Sequence, residues 1–180
     1  MMQADLAVDF AVAANFCRAL ACDGGGWTFQ TFDDSPRKSN HLARVIHSSP
    51  DQLEESFNQL KTLNDAGAGI FVTVNLTDGG GRAAINVIGL RALFVDADKK
   101  PMPDKWHADP DIIVRRDAMH WHAYWLLTPE QPLGMFTPAQ KRLSAFYGTD
   151  PIIHDLPRVM RVPGFIHRKA DPCAVELEIR

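Results

Sequence analysis

The clearest chemical feature of the sequence is a pair of aspartates at the end of an apolar run. Arg91–Asp98 reads R-A-L-F-V-D-A-D, so Asp96 and Asp98 follow a short apolar segment. Side chains alternate along a strand, so both carboxylates are expected on one face. Two carboxylates that close together repel one another unless a cation lies between them. Their hard oxygens suit Mg²⁺ or Mn²⁺ better than zinc. The pair predicts a metal site, although a strand that runs into a polar turn would read the same way.

Two histidines occur together in the segment His120–Leu127, which reads H-W-H-A-Y-W-L-L. The aromatic and apolar content predicts a strand, with His120 and His122 on one face and Trp121 on the other. A single strand histidine is more often an interior or edge residue than a ligand. The functional interpretation of these histidines therefore depends on the rest of the chain.

The segment Asp150–Lys169 combines carboxylates with arginines. Its ionisable groups include Asp150, Asp155, Arg158, Arg161, Arg168 and Lys169. Apolar residues lie between the cations, which predicts a half-buried segment rather than a solvated surface. Helical or turn geometry would present Arg158 and Arg161, three residues apart, to one side. Arginine's planar fork suits phosphate oxygens, so the segment could bind a triphosphate.

A mixture of helices and strands must position these groups. Helices are predicted over Ala4–Ala21, Pro50–Asn64 and Thr137–Tyr147. Strands are predicted over Trp27–Phe32, Gly69–Leu76, Ile85–Asp96, Asp111–Arg115, His120–Leu127 and Ala174–Ile179. The order lacks regular βαβ alternation, which favours an α+β fold.

Composition describes an ordinary globular chain. It has 180 residues, of which 46% are hydrophobic and 23% charged, with a net charge of −3. That charge argues against a generally basic nucleic-acid coat protein but leaves room for a local basic cleft. Three cysteines without C-x-x-C spacing indicate neither a disulfide framework nor a zinc site. The start lacks a basic signal-peptide region, and no apolar run approaches the roughly 20 residues of a membrane span, so a cytoplasmic protein is expected.

Together these motifs resemble the catalytic domain of the archaeo-eukaryotic primase superfamily, most closely the RepB-like primases and prim-pols of plasmids and phages. The first motif of that family, a hydrophobic strand that ends in D-x-D or D-x-E, is matched by Phe94–Asp98. The second, a histidine before an aromatic strand, is matched by His122–Trp125. The third places an aspartate before arginines and a Pro-Gly turn, as in Ile153–Lys169. The resemblance covers about residues 69–169.

The resemblance implies one catalytic domain over residues 1–180. A small N-terminal αβ module, about residues 1–88, would pack on an RRM-like antiparallel sheet, about residues 89–180, with the site between them. Two positions depart from the family pattern. Arg116-Asp117-Ala118-Met119 stands where a serine often precedes the histidine, and His167 stands where an asparagine commonly follows the Pro-Gly turn.

The implied function is a DNA-dependent primase/polymerase in the replication of a plasmid, phage or mobile element. It would make short primers on single-stranded DNA from NTP or dNTP substrates, by two-metal nucleotidyl transfer with Mg²⁺ or Mn²⁺ and without zinc. A helicase or accessory primase domain is a possible partner, and no membrane is involved. The implied metal ligands are Asp96, Asp98 and Asp155, and the implied nucleotide-binding residues are His122, Arg158, Arg161 and Lys169.

Other functions use some of the same residues. The triplet His120-Trp121-His122 is also the metal-binding signature of HUH-type rolling-circle replication initiators, in which Tyr147 would attack DNA as the nucleophile. That nickase chemistry has no use for the aspartate pair or for the arginines. A non-catalytic, primase-like DNA-binding domain is a third interpretation, and a metal-dependent nuclease would also fit three aspartates. In the primase interpretation, Trp106 or Trp121 could stack on template bases.

Overall fold

A computed structural model describes residues 6–21, 23–169 and 172–180. In chain order, its helices and strands are α1 (Phe10–Leu20), β1 (Trp27–Asp33), β2 (Arg44–Ser48), α2 (Leu53–Asp65), β3 (Ala68–Thr73), β4 (Leu76–Thr77), β5 (Val87–Gly89), β6 (Ala92–Ala97), β7 (Ile112–Asp117), β8 (His120–Leu126), α3 (Phe136–Tyr147), β9 (Val159–Arg161) and β10 (Glu176–Ile179).

The strands form two four-stranded sheets and a short two-stranded one. The first sheet has the order β2-β1-β3-β9, the second has the order β10-β7-β8-β6, and β4 pairs with β5. The paired strands run antiparallel to each other throughout these sheets. The prediction of an α+β fold with an antiparallel sheet in the second half of the chain is confirmed.

Strand β9 belongs to the first sheet although it comes from the second half of the chain. It pairs with β3, with Met160 opposite Val72 and Arg161 opposite Phe71. The other strands of the two four-stranded sheets keep to one side of residue 88, β1–β3 before it and β6, β7, β8 and β10 after it, whereas β9 crosses back to the first sheet. This return carries part of the third motif to the sheet opposite the aspartates.

One helix begins later than predicted, and one strand was not predicted, both for local reasons. Helix α1 begins at Phe10 because the Asp9 carboxylate accepts hydrogen bonds from two backbone N–H groups of the first turn, at 2.9 and 3.1 Å. The predicted start at Ala4 lies outside the described residues. Strand β2 has no counterpart among the predicted elements. Of its five residues only Ser48 is buried, so it lacks the alternation that marks a strand in a sequence.

A single hydrophobic cluster joins the two sheets. It contains Phe29 and Ile70 from the first sheet, and Phe94 and Tyr124 from the second, all of them fully buried. Close-packed side chains of this kind allow little relative movement of the elements that carry them. The shared core therefore fixes the spacing of the two sheets, and with it the shape of the space between them.

Helix α3 covers the free edge of β6, the strand that carries Asp96. Gln140 of α3 is buried; its Oε1 accepts the backbone N–H of Phe94 at 3.2 Å, and its Nε2 donates to the carbonyl of Phe94. Beyond the helix, the Asp150 amide donates to the carbonyl of Asp96 at 3.2 Å. Backbone groups that an edge strand would leave unpaired are thus satisfied, and β6 is held where it presents the aspartates.

The Pro-Gly turn of the third motif has a packing role. Gly164 follows β9 with φ +86°, and its carbonyl accepts the Asp9 amide at 2.7 Å. A Cβ on Gly164 would lie 2.3 Å from the carbonyl oxygen of Asp9 and 2.8 Å from the amide nitrogen of Ala13. The turn therefore needs glycine both for its left-handed backbone and for the close approach of α1.

We expect Gly164→Ala to lower the free energy of unfolding by about 2–4 kcal/mol, because strain at positive φ adds to a backbone clash. Urea unfolding followed by circular dichroism measures the change. Gly79→Ala is the matched control, since Gly79 has φ +77° but open space around it. Gly79→Ala should lower the free energy of unfolding by only about 1 kcal/mol. Equal losses in the two variants would contradict the role of close packing at Gly164.

Among the described residues, no helix combines the length and the apolar composition needed to cross a lipid bilayer.

Candidate active site

A cleft of about 450 Å³ lies between the two four-stranded sheets. Its walls come from β1, β3 and β9 of the first sheet and from β6, β7 and β8 of the second. Five predicted site residues line it: Asp96, Asp98, His122, Arg161 and Lys169. Residues that are far apart in sequence are thus gathered in one concave site, which is where ligands usually bind.

The second sheet places the aspartates and histidines in two adjacent rows. Asp96 on β6 lies opposite His122 on β8, and Val114 on β7 lies on the other side of His122. Asp96, His122 and Val114 form the first row. Asp98 and His120, each two residues away along its own segment, form the second. Alternate residues of a strand point to the same face, so both rows face the cleft. Asp96 and Asp98, here called the aspartate pair, share a face as their spacing predicts, and both line the cleft.

His122 lies between a phenol and a carboxylate. Its Nε2 is 3.4 Å from Asp96 Oδ1, and its Nδ1 is 3.3 Å from the Tyr124 hydroxyl. Burial lowers the pKa of His122, although Asp96 opposes the change, and burial raises the pKa of Tyr124. At neutral pH the imidazole and the phenol are therefore both uncharged. In the tautomer that satisfies the hydrogen bond, Tyr124 donates to Nδ1, and the ring proton is on Nε2, the nitrogen close to Asp96.

Arg161 is already neutralised within the protein. Its Nη1 lies 2.8 Å from Asp34 Oδ2 and its Nη2 lies 3.1 Å from Asp34 Oδ1. Only 14% of the Arg161 side chain and 7% of the Asp34 side chain are exposed. The guanidinium also lies 4.4 Å from the centre of the Phe71 ring. Both terminal nitrogens of Arg161 are thus occupied, in a contact that ties β9 to the segment after β1.

Asp155 and Arg158 pair with each other and are not part of the cleft wall. Arg158 Nε lies 2.7 Å from Asp155 Oδ1, and Arg158 Nη2 also donates to the carbonyl of Ile152 at 3.0 Å. Strand β9 begins directly after Arg158, so no helix or turn spans Arg158 and Arg161. Of the two arginines only Arg161 lines the cleft, contrary to the expectation that both face one side. The structure therefore does not bring Asp155 and Arg158 to the aspartate pair.

The aspartate pair offers hard oxygen donors to a cation. Asp96 is 31% exposed at its side chain, and Asp98, just beyond β6, is exposed. Within the described ranges, no three His, Cys, Asp or Glu side chains lie close enough together to hold a metal ion. Mg²⁺ usually takes one or two protein carboxylates and completes its shell with substrate phosphates and water. Two exposed carboxylates in a cleft fit that mode of binding.

Two cations of the cleft were not among the predicted binding residues. Arg116 lies on β7, two positions from Val114 and on the same side, and Lys38 lies in the segment after β1. Lys38 has φ 46°, a left-handed conformation that is uncommon outside glycine. Arg116 lies just beyond the predicted strand Asp111–Arg115, so strand alternation did not identify it. Lys38 also lacks a sequence signal, because its position depends on the path of a loop.

His167, one of the two departures from the family pattern, also lines the cleft. It is only 7% exposed, and its Nδ1 is buried without a hydrogen-bond partner among the described residues. Burial lowers its pKa from 6.5 to about 4, assisted by the positive charge of Arg161. His167 is therefore neutral in the folded protein at neutral pH.

We expect the protein to lose stability as the pH falls from 6.5 to about 4, partly through His167. In that range the unfolded chain binds a proton that folded His167 does not, so unfolding becomes easier as the pH is lowered. The loss due to His167 should be on the order of 2 kcal/mol. Urea unfolding at pH 7, 5.5 and 4.5 measures it.

His167→Asn is the control for this pH dependence, because asparagine is the residue that the family pattern places there. The variant should lose less stability than the wild type between pH 7 and 4.5. The loss of stability that remains in the variant is due to other groups such as His122, whose pKa is also lowered by burial. Identical losses in the two proteins would show that His167 is not the group that titrates.

The nickase alternative needs Tyr147 close to His120 and His122, and the structure separates them. Tyr147 stacks on Trp125, with ring centres 5.4 Å apart and planes 18° apart. Trp125 is an odd number of residues from His122 on the same strand, so it lies on the opposite face of the sheet. The tyrosine and the two histidines are therefore on different sides of the second sheet.

The tryptophans considered for base stacking lie in this same aromatic cluster. Trp106 and Trp121 pack edge to face at 5.5 Å. Trp121 is 1% exposed, and its indole N–H donates to the carbonyl of Lys100 at 2.9 Å. A buried ring cannot stack on a base, so Trp121 is a packing residue.

The fold that holds this cleft is shared with solved primase and primase-polymerase domains. The chain superposes on the AEP domain of the cyanophage S-2L primase-polymerase with a TM-score of 0.73 and 17% identity, over 96% of this chain and 91% of that one. It superposes on the primase RepB′ with a TM-score of 0.68 and 14% identity, over 93% of this chain and 55% of that one.

A third solved structure, the catalytic domain of primase RepB′ in complex with initiator DNA, gives a TM-score of 0.65 and 16% identity, over 93% of this chain and 84% of that one. At such low identities the likeness establishes the fold, which the sequence motifs had predicted. Neither a protein-family model nor a curated protein sequence matches the chain.

Proposed function

We propose that the protein is a DNA-dependent primase/polymerase that makes short primers on single-stranded DNA during replication of a plasmid, phage or other mobile element. The observation that carries this proposal is the cleft in which the aspartate pair faces His122 and several cations, on a primase-type fold. Solved proteins with this fold are described as a primase-polymerase and as a primase bound to initiator DNA, which supports the same activity here.

Nucleotidyl transfer would take place beside the aspartate pair. The 3′-oxygen of one nucleotide forms a bond to the α-phosphorus of the next, and the bond from that phosphorus to the bridging oxygen of pyrophosphate breaks. The reacting groups are anionic, so positioning and charge compensation supply most of the catalysis. Bound Mg²⁺ or Mn²⁺ would make the 3′-oxygen a better nucleophile and neutralise the leaving pyrophosphate.

The residues near β6 have distinct roles in this proposal. Asp96 and Asp98 hold the divalent cations, and His122 reaches a phosphate of the incoming nucleotide through Nε2, the ring nitrogen that is free of Tyr124. Asp155 is the third predicted metal ligand, and it joins the other two only by exchanging its ion pair with Arg158. A two-metal arrangement with all three carboxylates therefore requires the segment before β9 to rearrange when substrate binds.

The three predicted phosphate-binding cations divide into two groups. Lys169 lines the cleft and is assigned to the triphosphate or to the template. Arg158 and Arg161 act through the carboxylates they hold, Asp155 and Asp34. They shape the wall of the cleft and contribute less directly to phosphate binding.

The proposal is tested by incubating the full chain with single-stranded DNA, Mg²⁺ or Mn²⁺, and labelled NTPs or dNTPs in separate reactions. Denaturing gels then show both nucleic-acid products and labelled protein. We expect short, metal-dependent oligonucleotides. A parallel reaction with a primed template removes the need for initiation, which a helicase or accessory domain could otherwise assist.

Absence of product on both the unprimed and the primed template would contradict the proposal. Label transferred from DNA to the protein, and lost in Tyr147→Phe, would instead establish the nickase chemistry. DNA binding without either reaction would indicate a non-catalytic DNA-binding domain.

A further inference from the structure

The turn between β7 and β8 contains a β-bulge at the rim of the cleft. Arg115 pairs with Trp121, yet Asp117 pairs with His120, so Arg116 is an additional residue on β7. A bulge sets two consecutive residues opposite one residue of the neighbouring strand and redirects their side chains. Arg116 and Asp117 therefore both lie beside His120.

Asp117 is held from two sides and in turn holds Arg116. Its Oδ1 accepts the backbone N–H of Met119 at 2.8 Å and lies 2.8 Å from Nδ1 of His120. Its Oδ2 accepts the Nε–H of Arg116 at 3.1 Å. These contacts, that of His120 foremost, hold the pKa of Asp117 well below its usual range. Asp117 is thus a fixed negative charge that positions the Arg116 guanidinium.

The outer nitrogens of Arg116 are unoccupied. Only its Nε is used, and Nη1 and Nη2 have no hydrogen-bond partner in the part of the chain that the structure describes. By contrast, Arg161 uses both of its Nη groups on Asp34, and Arg158 uses Nε and Nη2 on Asp155 and a backbone carbonyl. A planar guanidinium with two free N–H₂ groups matches two oxygens of a phosphate.

The position of Arg116 places this fork in the same cleft as the aspartate pair, with β8 between them. Its side chain is 29% exposed and lines the same cleft. Besides burial, the main cause, the positive charge of Arg116 contributes to the lowered pKa of both His122 and His167. Both histidines line the cleft together with Arg116, and the strand order β7-β8-β6 sets the guanidinium across β8 from the aspartates. A polyphosphate bound in the cleft between them could contact Arg116.

We propose that Arg116, positioned by Asp117, binds the polyphosphate of the incoming nucleoside triphosphate. The inference rests on the proposed function and names a residue that recognises the substrate. The DNA backbone is the other source of the same phosphate chemistry. Arg116 shares the cleft of the aspartate pair, where the triphosphate must react, and this favours the nucleotide.

Arg116→Gln and Arg115→Gln form a matched pair for the test. The two arginines are adjacent on one strand, but Arg115 pairs with Glu176 in an exposed contact and does not line the cleft. Binding of a fluorescent nucleoside triphosphate and of the corresponding monophosphate is measured with Ca²⁺ as the divalent ion, alongside single-stranded DNA binding by anisotropy. We expect Arg116→Gln to weaken triphosphate binding about 10- to 100-fold and to affect the monophosphate less.

The controls separate substrate binding from a structural role. Arg115→Gln should bind the triphosphate within about twofold of the wild type, because an exposed ion pair contributes little. Asp117→Ala should reduce the preference for triphosphate over monophosphate without a comparable loss of melting temperature. If Asp117→Ala instead weakens the binding of triphosphate and monophosphate equally, as a general loss of folding would, the proposal is overturned.

Two other outcomes would also overturn it. If Arg116→Gln weakens DNA binding and leaves nucleotide binding unchanged, Arg116 serves the template. If Arg116→Gln and Arg115→Gln behave alike while the wild type binds nucleotide and makes primers, the proposed function stands and this inference fails. If the wild type neither binds nucleotide nor makes product, both the proposed function and this inference are wrong.

Discussion

Asp96→Asn is expected to reduce nucleotide incorporation about 10³-fold or more while the protein remains folded. The substitution keeps the size and shape of the side chain but removes the charge that a divalent cation requires. Asp96 is 31% exposed and lies 3.4 Å from an uncharged histidine, so its loss leaves no buried charge unpaired. The free energy of unfolding should change by less than about 1 kcal/mol. Primer extension with Mg²⁺ or Mn²⁺ and urea unfolding measure the two quantities.

Asp109→Asn is the matched control, because Asp109 is 79% exposed and is not part of the cleft. It should extend primers like the wild type. Asp155→Asn tests whether Asp155 is the third metal ligand. A loss as large as that of Asp96→Asn would place Asp155 in the metal site, and activity within about tenfold of the wild type would leave the metal to the aspartate pair. Normal extension by Asp96→Asn would refute the assignment of the whole site.

Asp34→Ala is expected to lower the free energy of unfolding by about 3–5 kcal/mol, because it leaves the Arg161 guanidinium buried without its counter-ion. The carboxylate holds both Nη groups of Arg161 and also accepts the backbone N–H of Arg168 at 3.3 Å. The absence of a side chain at Gly69 makes room for the pair, since a Cβ there would lie 2.6 Å from Arg161 Nη1. Urea unfolding measures the loss as a lower midpoint.

The double variant Asp34→Leu/Arg161→Met should recover much of this stability, because it removes both charges instead of one. Lys61→Ala serves as the comparison. It breaks an ion pair whose side chains are 47% and 49% exposed, and it should cost less than about 1 kcal/mol. If Asp34→Ala unfolds at the wild-type midpoint and binds nucleoside triphosphate more tightly, then Arg161 is a phosphate-binding residue after all.

The fold class and the centre of the site could be predicted because their signals are local. Alternation along β6 and β8 places Asp96, Asp98 and His122 on one face, and the structure puts all three in the cleft. The helices likewise follow from their apolar spacing and end signals. For α2, the turn that leads into it is capped by the reciprocal contacts of Ser49 and Gln52.

What the sequence could not supply depends on contacts between distant segments. Asp34 and Arg161 are separated by most of the chain, so nothing near either residue indicates that they neutralise each other. The bulge at Arg116 is a matter of register between two strands, which a periodic pattern does not encode. Strand β9 is only three residues long, and so short a run shows no periodicity that would distinguish it from the helical or turn geometry predicted for Arg158 and Arg161.

The return of β9 to the first sheet has a consequence for how the chain reaches its folded state during synthesis. Strand β9 pairs with β3, although nearly half of the chain lies between these two strands. Until the ribosome has released β9, β3 exposes an unpaired edge, and the docking site for the start of α1 at Gly164 does not exist. The segment that precedes β9 should therefore stay open and prone to aggregation until β9 has been synthesised. Pairing over so long a separation also predicts slow refolding from denaturant.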